Sequence, residues 1–181
     1  MNKKNIWLIH FSNFIAYLCL QLLVGQASVY LYGSTCFIYI GFFLSLPWQK
    51  GNFILQLLLG FLVGLIVDAF YDSLGIHAFA IVLLIYCRNF LLHILPPASV
   101  NGYEYAVKPS LYTMGFKKFS IYVIFLSSIY HAIVFCLDAW NFMSFFRVLP
   151  QWFISVIVSY FVVCLFQILS VLVSNTNTSV R

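Results

Sequence analysis

Charge is what this sequence has least of. Asp, Glu, Lys and Arg together make up 7% of 181 residues, and only four of these are acidic, against roughly 25% charged residues in a soluble domain. That deficit excludes a water-facing surface of ordinary size, and so few acids exclude a carboxylate-bridged metal centre. Paired cysteines are missing too. Cys19, Cys36, Cys87, Cys136 and Cys164 stand singly inside apolar runs, where they read as small hydrophobes rather than a disulfide frame or a zinc site. No HExxH, GxSxG, Walker or dinucleotide fingerprint occurs, and no nucleophile or metal constellation accompanies the few Asp and His residues. The expectation is a protein with no enzymatic activity, no metal and no cofactor. The formal charge of +5 comes from basic residues scattered singly or in pairs, which argues against a nucleic-acid face and points to membrane topology instead.

What is present is hydrocarbon: 64% hydrophobic residues, 20% aromatic residues and a mean hydropathy of +1.01. A span takes about 20 mostly apolar residues, so the chain has room for about six with short connections and no sizeable soluble domain. The apolar runs cover residues 6–24, 30–46, 53–71, 75–95, 119–137 and 152–173. They predict an all-α integral membrane protein of six transmembrane helices forming one polytopic domain over 1–181. The first run follows Lys3 and Lys4 and has the outline of a signal peptide, but it is longer than a signal core of roughly 7–15 residues, which favours an uncleaved helix. The second run is short, carries Gly33, Ser34 and Thr35 and ends at Pro47. Only a tight turn at Asp72 and Ser73 separates the third and fourth, so these are expected as antiparallel neighbours with Asp72 or Ser73 capping the fourth. The polar stretch 98–118 is the one expected surface loop of any size. With six spans, Lys3, Lys4, Lys50, Lys108, Lys117, Lys118 and Arg181 fall on one side and Arg147 on the other. Positive residues are retained in the cytoplasm, which predicts cytoplasmic termini. Trp7, Trp48, Trp140 and Trp152 fall near span ends, where indoles settle at the interface.

A few polar residues inside the runs are the candidates for function. Gly60, Gly64 and Asp68 recur every four residues on one face of the third span. The glycines let another backbone approach, either a helix of the same chain or that of a partner. Asp68 lies about 15 residues, or roughly 22 Å, along its span. There its carboxyl either faces the bundle interior and finds a partner or sits hydrated at the outer interface. His77 and His131 reach similar depth, which suggests a cluster in which Asp68, His77 and His131 satisfy one another's hydrogen bonds; the alternative is a histidine bonded to a backbone carbonyl. Arg88 shares a helix face with His77 and is placed to snorkel toward the headgroups, with Glu104 or a lipid phosphate as its partner.

The string Gly60-Phe-Leu-Val-Gly64-Leu-Ile-Val-Asp68-Ala-Phe-Tyr-Asp72-Ser-Leu-Gly75-Ile-His77-Ala78 resembles the signature region of the rod shape-determining protein MreD family. Gln21, Pro47, Cys87-Arg88-Asn-Phe-Leu-Leu, Pro109-Ser-Leu-Tyr-Thr-Met114-Gly115-Phe and the interval from His131 to Asp138 are similar to its Bacteroidetes branch. Asn89 stands where branch members often have proline, and Ala132 where a second histidine is common. The resemblance implies a fold similar to the substrate-binding subunits of energy-coupling-factor transporters. It also implies a place in the inner membrane within the elongasome, where a scaffold binds the single-span protein MreC and links MreB filaments to RodA and penicillin-binding protein 2. Gly60, Gly64, Asp68, Asp72, Gly75, His77, Arg88, His131 and Asp138 are the packing or partner-contact residues this reading expects. The alternative is a small-molecule- or lipid-binding membrane subunit of transporter-like fold.

Overall fold

The computed structural model describes residues 21, 39–47, 53–98, 108–139 and 142–178. Within them the chain is helical throughout, with no strand: α1 (Ile40–Leu44), α2 (Phe53–Tyr71), α3 (Ile76–Ile94), α4 (Leu111–Ala139) and α5 (Phe142–Thr178). Four of these, over Phe53–Tyr71, Ile76–Ile94, Leu111–Asp138 and Val148–Leu169, are long and apolar enough to cross a membrane. This is a multi-pass membrane protein. The first apolar run apart from Gln21, and most of the second, lie outside the described residues, as do Glu104, Trp7, Trp48 and Trp140.

The helices pack largely in chain order, α2 on α3, α3 on α4 and α4 on α5, while α1 lies against α3 and α5. Burial identifies the centre. Half of the α3 span is buried against 28% of the α2 and α5 spans, because α3 is covered on several sides and the other two present a broad face outward. The core joins Ile40, Phe43 and Leu44 of α1 to Val63 and Val67 of α2, Ile81, Leu84 and Ile85 of α3, and Val123 and Leu126 of α4.

Three boundaries differ from the hydropathy pattern, and for one reason: hydropathy reports depth in lipid, whereas a helix continues as long as its backbone bonds do. The stretch 98–118 is not all loop. One helical turn forms from Leu111, and at Gly115 the chain adopts φ 72° and ψ 161°, a backbone region open almost only to glycine, before the long part of α4 begins. The amide of Ala98 donates to the Thr113 carbonyl at 2.8 Å, which ties the exit of α3 to this turn. At its far end α4 continues to Ala139, and α5 already starts at Phe142 and runs through Pro150.

Candidate functional site

The α2–α3 turn shows what the string from Gly60 to Ala78 builds. At the end of α2, Asp72 takes φ 52° and the Ser73 amide bonds back to the Asp68 carbonyl at 3.0 Å, a six-to-one closure that ends a helix. Gly75, at φ 81°, opens α3 and has no side chain with which to cap it. The cap comes instead from the preceding helix. Asp68 Oδ1 accepts from the His77 amide and Oδ2 from the Ala78 amide, both at 2.9 Å, and the Ser73 hydroxyl donates to Oδ1 at 2.6 Å. A carboxylate at the positive end of α3, accepting two of its unsatisfied amides, is the N-cap interaction delivered across a turn. Asp72 and Ser73 therefore do not cap the helix themselves, contrary to the sequence expectation: Asp72 is exposed, and Ser73 supports the carboxylate that does.

One turn before Asp68, Gly64 lies directly on Ala78. A Cβ at Gly64 would come within 2.8 Å of the Ala78 amide nitrogen and 3.1 Å of its Cβ, so glycine is what lets α2 and α3 approach. Gly60 faces the flexible end of the Ile85 side chain. Both glycines thus pack on a helix of their own chain, and that face is closed to a second protein.

Behind the turn sits a buried polar layer. His77 Nδ1 is 2.8 Å from the Tyr130 hydroxyl and 3.5 Å from that of Tyr39, and the two tyrosine hydroxyls bond each other. Gln21 donates to the Tyr71 hydroxyl at 3.0 Å and accepts from the Tyr39 amide at 3.4 Å. The layer joins the chain before α1 to α2, α3 and α4 through side chains that are mostly fully buried. It differs from the expected Asp68–His77–His131 cluster. Asp68 meets His77 only through the backbone amide, and His131 belongs to another site: its Nδ1 donates to the Ser127 carbonyl at 2.8 Å, and its Nε2 is 3.4 Å from the Ser159 hydroxyl on α5. A helical histidine can reach the carbonyl four residues back without help from another helix, and here it does. Asp138 is exposed near the end of α4.

At the opposite end of the bundle, Arg88 is 1% exposed. Nε donates to the Tyr122 hydroxyl at 2.9 Å, Nη1 to Gln56 Oε1 at 3.2 Å, and Nη2 to the Leu46 carbonyl. The guanidinium thus turns inward. The expected snorkelling to headgroups is not what the chain does, because neutral oxygens from three elements already satisfy the group. The Tyr122 hydroxyl in turn donates to the Leu44 carbonyl at 2.8 Å, and the Gln56 amide donates to Pro47 O at 3.1 Å.

Tyr39, Tyr130, Tyr122 and Gln56 are the residues that reasoning from sequence missed. In a chain with 12 tyrosines, nothing local separates a buried hydroxyl from an interfacial ring. The one available signal is the eight-residue step from Tyr122 to Tyr130, which places both on the inner face of α4. No group of three or more His, Cys, Asp or Glu suited to a metal ion occurs among the described residues. Family models, curated proteins and solved structures were compared with the chain, and none matches.

Proposed function

We propose that this chain is a non-enzymatic membrane scaffold of the MreD type. It holds the single-span protein MreC and helps organise lateral wall synthesis with MreB, RodA and penicillin-binding protein 2. In this reading it crosses the bacterial inner membrane six times, with both termini in the cytoplasm and an arrangement similar to the energy-coupling-factor substrate subunits. The supporting sequence feature is the string from Gly60 to Ala78, together with the likeness spread along the rest of the chain.

The observation that carries the reading is the outward face of α2. Ile54, Leu58, Phe61, Leu62, Leu65, Ile66 and Phe70 are each at least 41% exposed, so an apolar stripe runs the length of the helix while Asp68 and the glycines are spent on α3. A helix anchored so firmly on one side and open on the other suits a second membrane helix laid alongside it, since association in lipid rests on packing over length. The partner then contacts the stripe and not the Gly60–Gly64 face.

Photocrosslinking tests this. With MreC co-expressed, a photoreactive residue at Leu58, Leu62 or Ile66 should crosslink to it, and one at Val63 or Val67 should not. Failure of MreC to co-purify and to crosslink from any α2 position would sink the proposal. One observation favours the second reading in its lipid form. Two apolar recesses of about 310 Å³ and 140 Å³ flank Trp152 on the α4–α5 seam, and the indole N–H is taken up by the Ser128 carbonyl at 3.0 Å. Such a lining suits an acyl chain. A stoichiometric lipid retained through purification, in the absence of an MreC complex, would favour it.

A further inference from the structure

The chain ends α1 at Leu44 and reaches Pro47 three residues later, and the carbonyls of Leu44, Leu46 and Pro47 each accept a hydrogen bond from a side chain. The last carbonyls of a helix are unsatisfied by construction and carry partial negative charge. In lipid each needs a donor from elsewhere in the protein. Here each has one, from a different helix: Tyr122 of α4 for Leu44, Arg88 of α3 for Leu46 and Gln56 of α2 for Pro47. The donors are also linked to one another, because Arg88 donates to both Tyr122 and Gln56. The result is a cradle in which the Leu46 carbonyl, the Tyr122 hydroxyl and Gln56 Oε1 converge on one buried positive group. Membrane proteins place free cations where helices break and expose carbonyls in this way.

We propose that these oxygens form a monovalent-cation site whose occupant is the chain's own guanidinium, and that this occupancy closes the 44–47 turn onto α2, α3 and α4. A planar cation with several N–H donors fits three acceptors arranged around it, whereas an ammonium on a shorter stem reaches fewer of them. Removing the side chain therefore leaves a site for free guanidinium rather than an inert hole. The inference does not depend on the scaffold reading and uses no partner.

Thermal unfolding of the purified chain in detergent tests it. Arg88→Ala should lower the midpoint by about 10 °C, given the hydrogen bonds lost and the size of the chain. Roughly 20 mM guanidinium chloride should restore at least half of that loss by binding the folded form, while sodium chloride at equal concentration should not. The parent chain should gain nothing from guanidinium. An undiminished midpoint in Arg88→Ala, or equal effects of the two salts, would overturn the proposal. Tyr122→Phe covers the case in which Arg88→Ala does not accumulate, because it keeps the arginine and frees the Leu44 carbonyl. In a background with the native cysteines replaced by alanine, Ser45→Cys should alkylate several-fold faster with Tyr122→Phe than without it. An unchanged rate would mean that the cradle does not hold the turn.

Discussion

Asp68 illustrates how a single side chain can organise two helices. Its two oxygens accept three hydrogen bonds, and two of the donors are backbone amides of α3 that no nearer residue caps. Asp68→Asn keeps the size but leaves only one acceptor oxygen, and its amide nitrogen then faces a backbone donor. The expected cost is about 2–3 kcal/mol, measured as a lower unfolding midpoint in detergent, with exchange of the His77 and Ala78 amides rising most. The two glycines separate equally clearly. Gly64→Ala drives a methyl into the backbone of Ala78 and should cost about 1–3 kcal/mol as overpacking. Gly60→Ala meets a movable Ile85 terminus, and the gain in helix propensity, about 1 kcal/mol, offsets most of the strain. If the pair of variants unfolded at the same temperature, the backbone contact assigned to Gly64 would be wrong. Among the buried side-chain atoms described, Ser127 Oγ has no hydrogen-bond partner.

At the level of the element, α4 is two pieces with different roles. The turn 111–114 is stitched to its surroundings by Ser110, Thr113 and the Lys108 carbonyl, while Tyr112 and Phe116 are 82% and 70% exposed. Burial near this turn holds the Lys108 amine below its ordinary value. The glycine at φ 72°, ψ 161° re-aims the chain into the long span. Gly115→Ala forces a side chain into that conformation and should cost about 1–3 kcal/mol, or else straighten the helix and break the Ala98–Thr113 bond. Either outcome raises proteolysis in the 98–115 region, whereas unchanged cleavage and stability would show that the bend is not needed. The inner face of α4, by contrast, joins both polar layers, Tyr122 to Arg88 at one end and Tyr130 to His77 at the other.

Among the residues whose side chains are described, charge divides between the two ends of the bundle. Antiparallel packing puts the start of α2, the end of α3 and the start of α4 together, so Arg88, Lys108, Lys117 and Lys118 gather at one end, while Asp68, Asp72 and Asp138 lie at the other. Lysine-bearing ends are held in the cytoplasm. An impermeant maleimide added to spheroplasts of a strain carrying a cysteine-free chain should therefore label Asp72→Cys and leave Lys117→Cys unlabelled until the membrane is opened. The reverse pattern would invert the orientation. Much of this was legible in the residues. The helices Phe53–Tyr71 and Ile76–Ile94 and their hairpin follow from run length, and the shared face of Gly60, Gly64 and Asp68 follows from the four-residue spacing, because lipid demands long apolar helices and helical geometry fixes which residues share a face. The partners were not legible. Whether Asp68 reaches a backbone amide or His131, and whether Arg88 turns out to lipid or in toward Leu46, depends on which helices lie within a few ångströms. Only the packing of α1 to α4 settles that distance, since one side chain offers the same donors and acceptors to every neighbour and the tertiary structure selects which of them it meets.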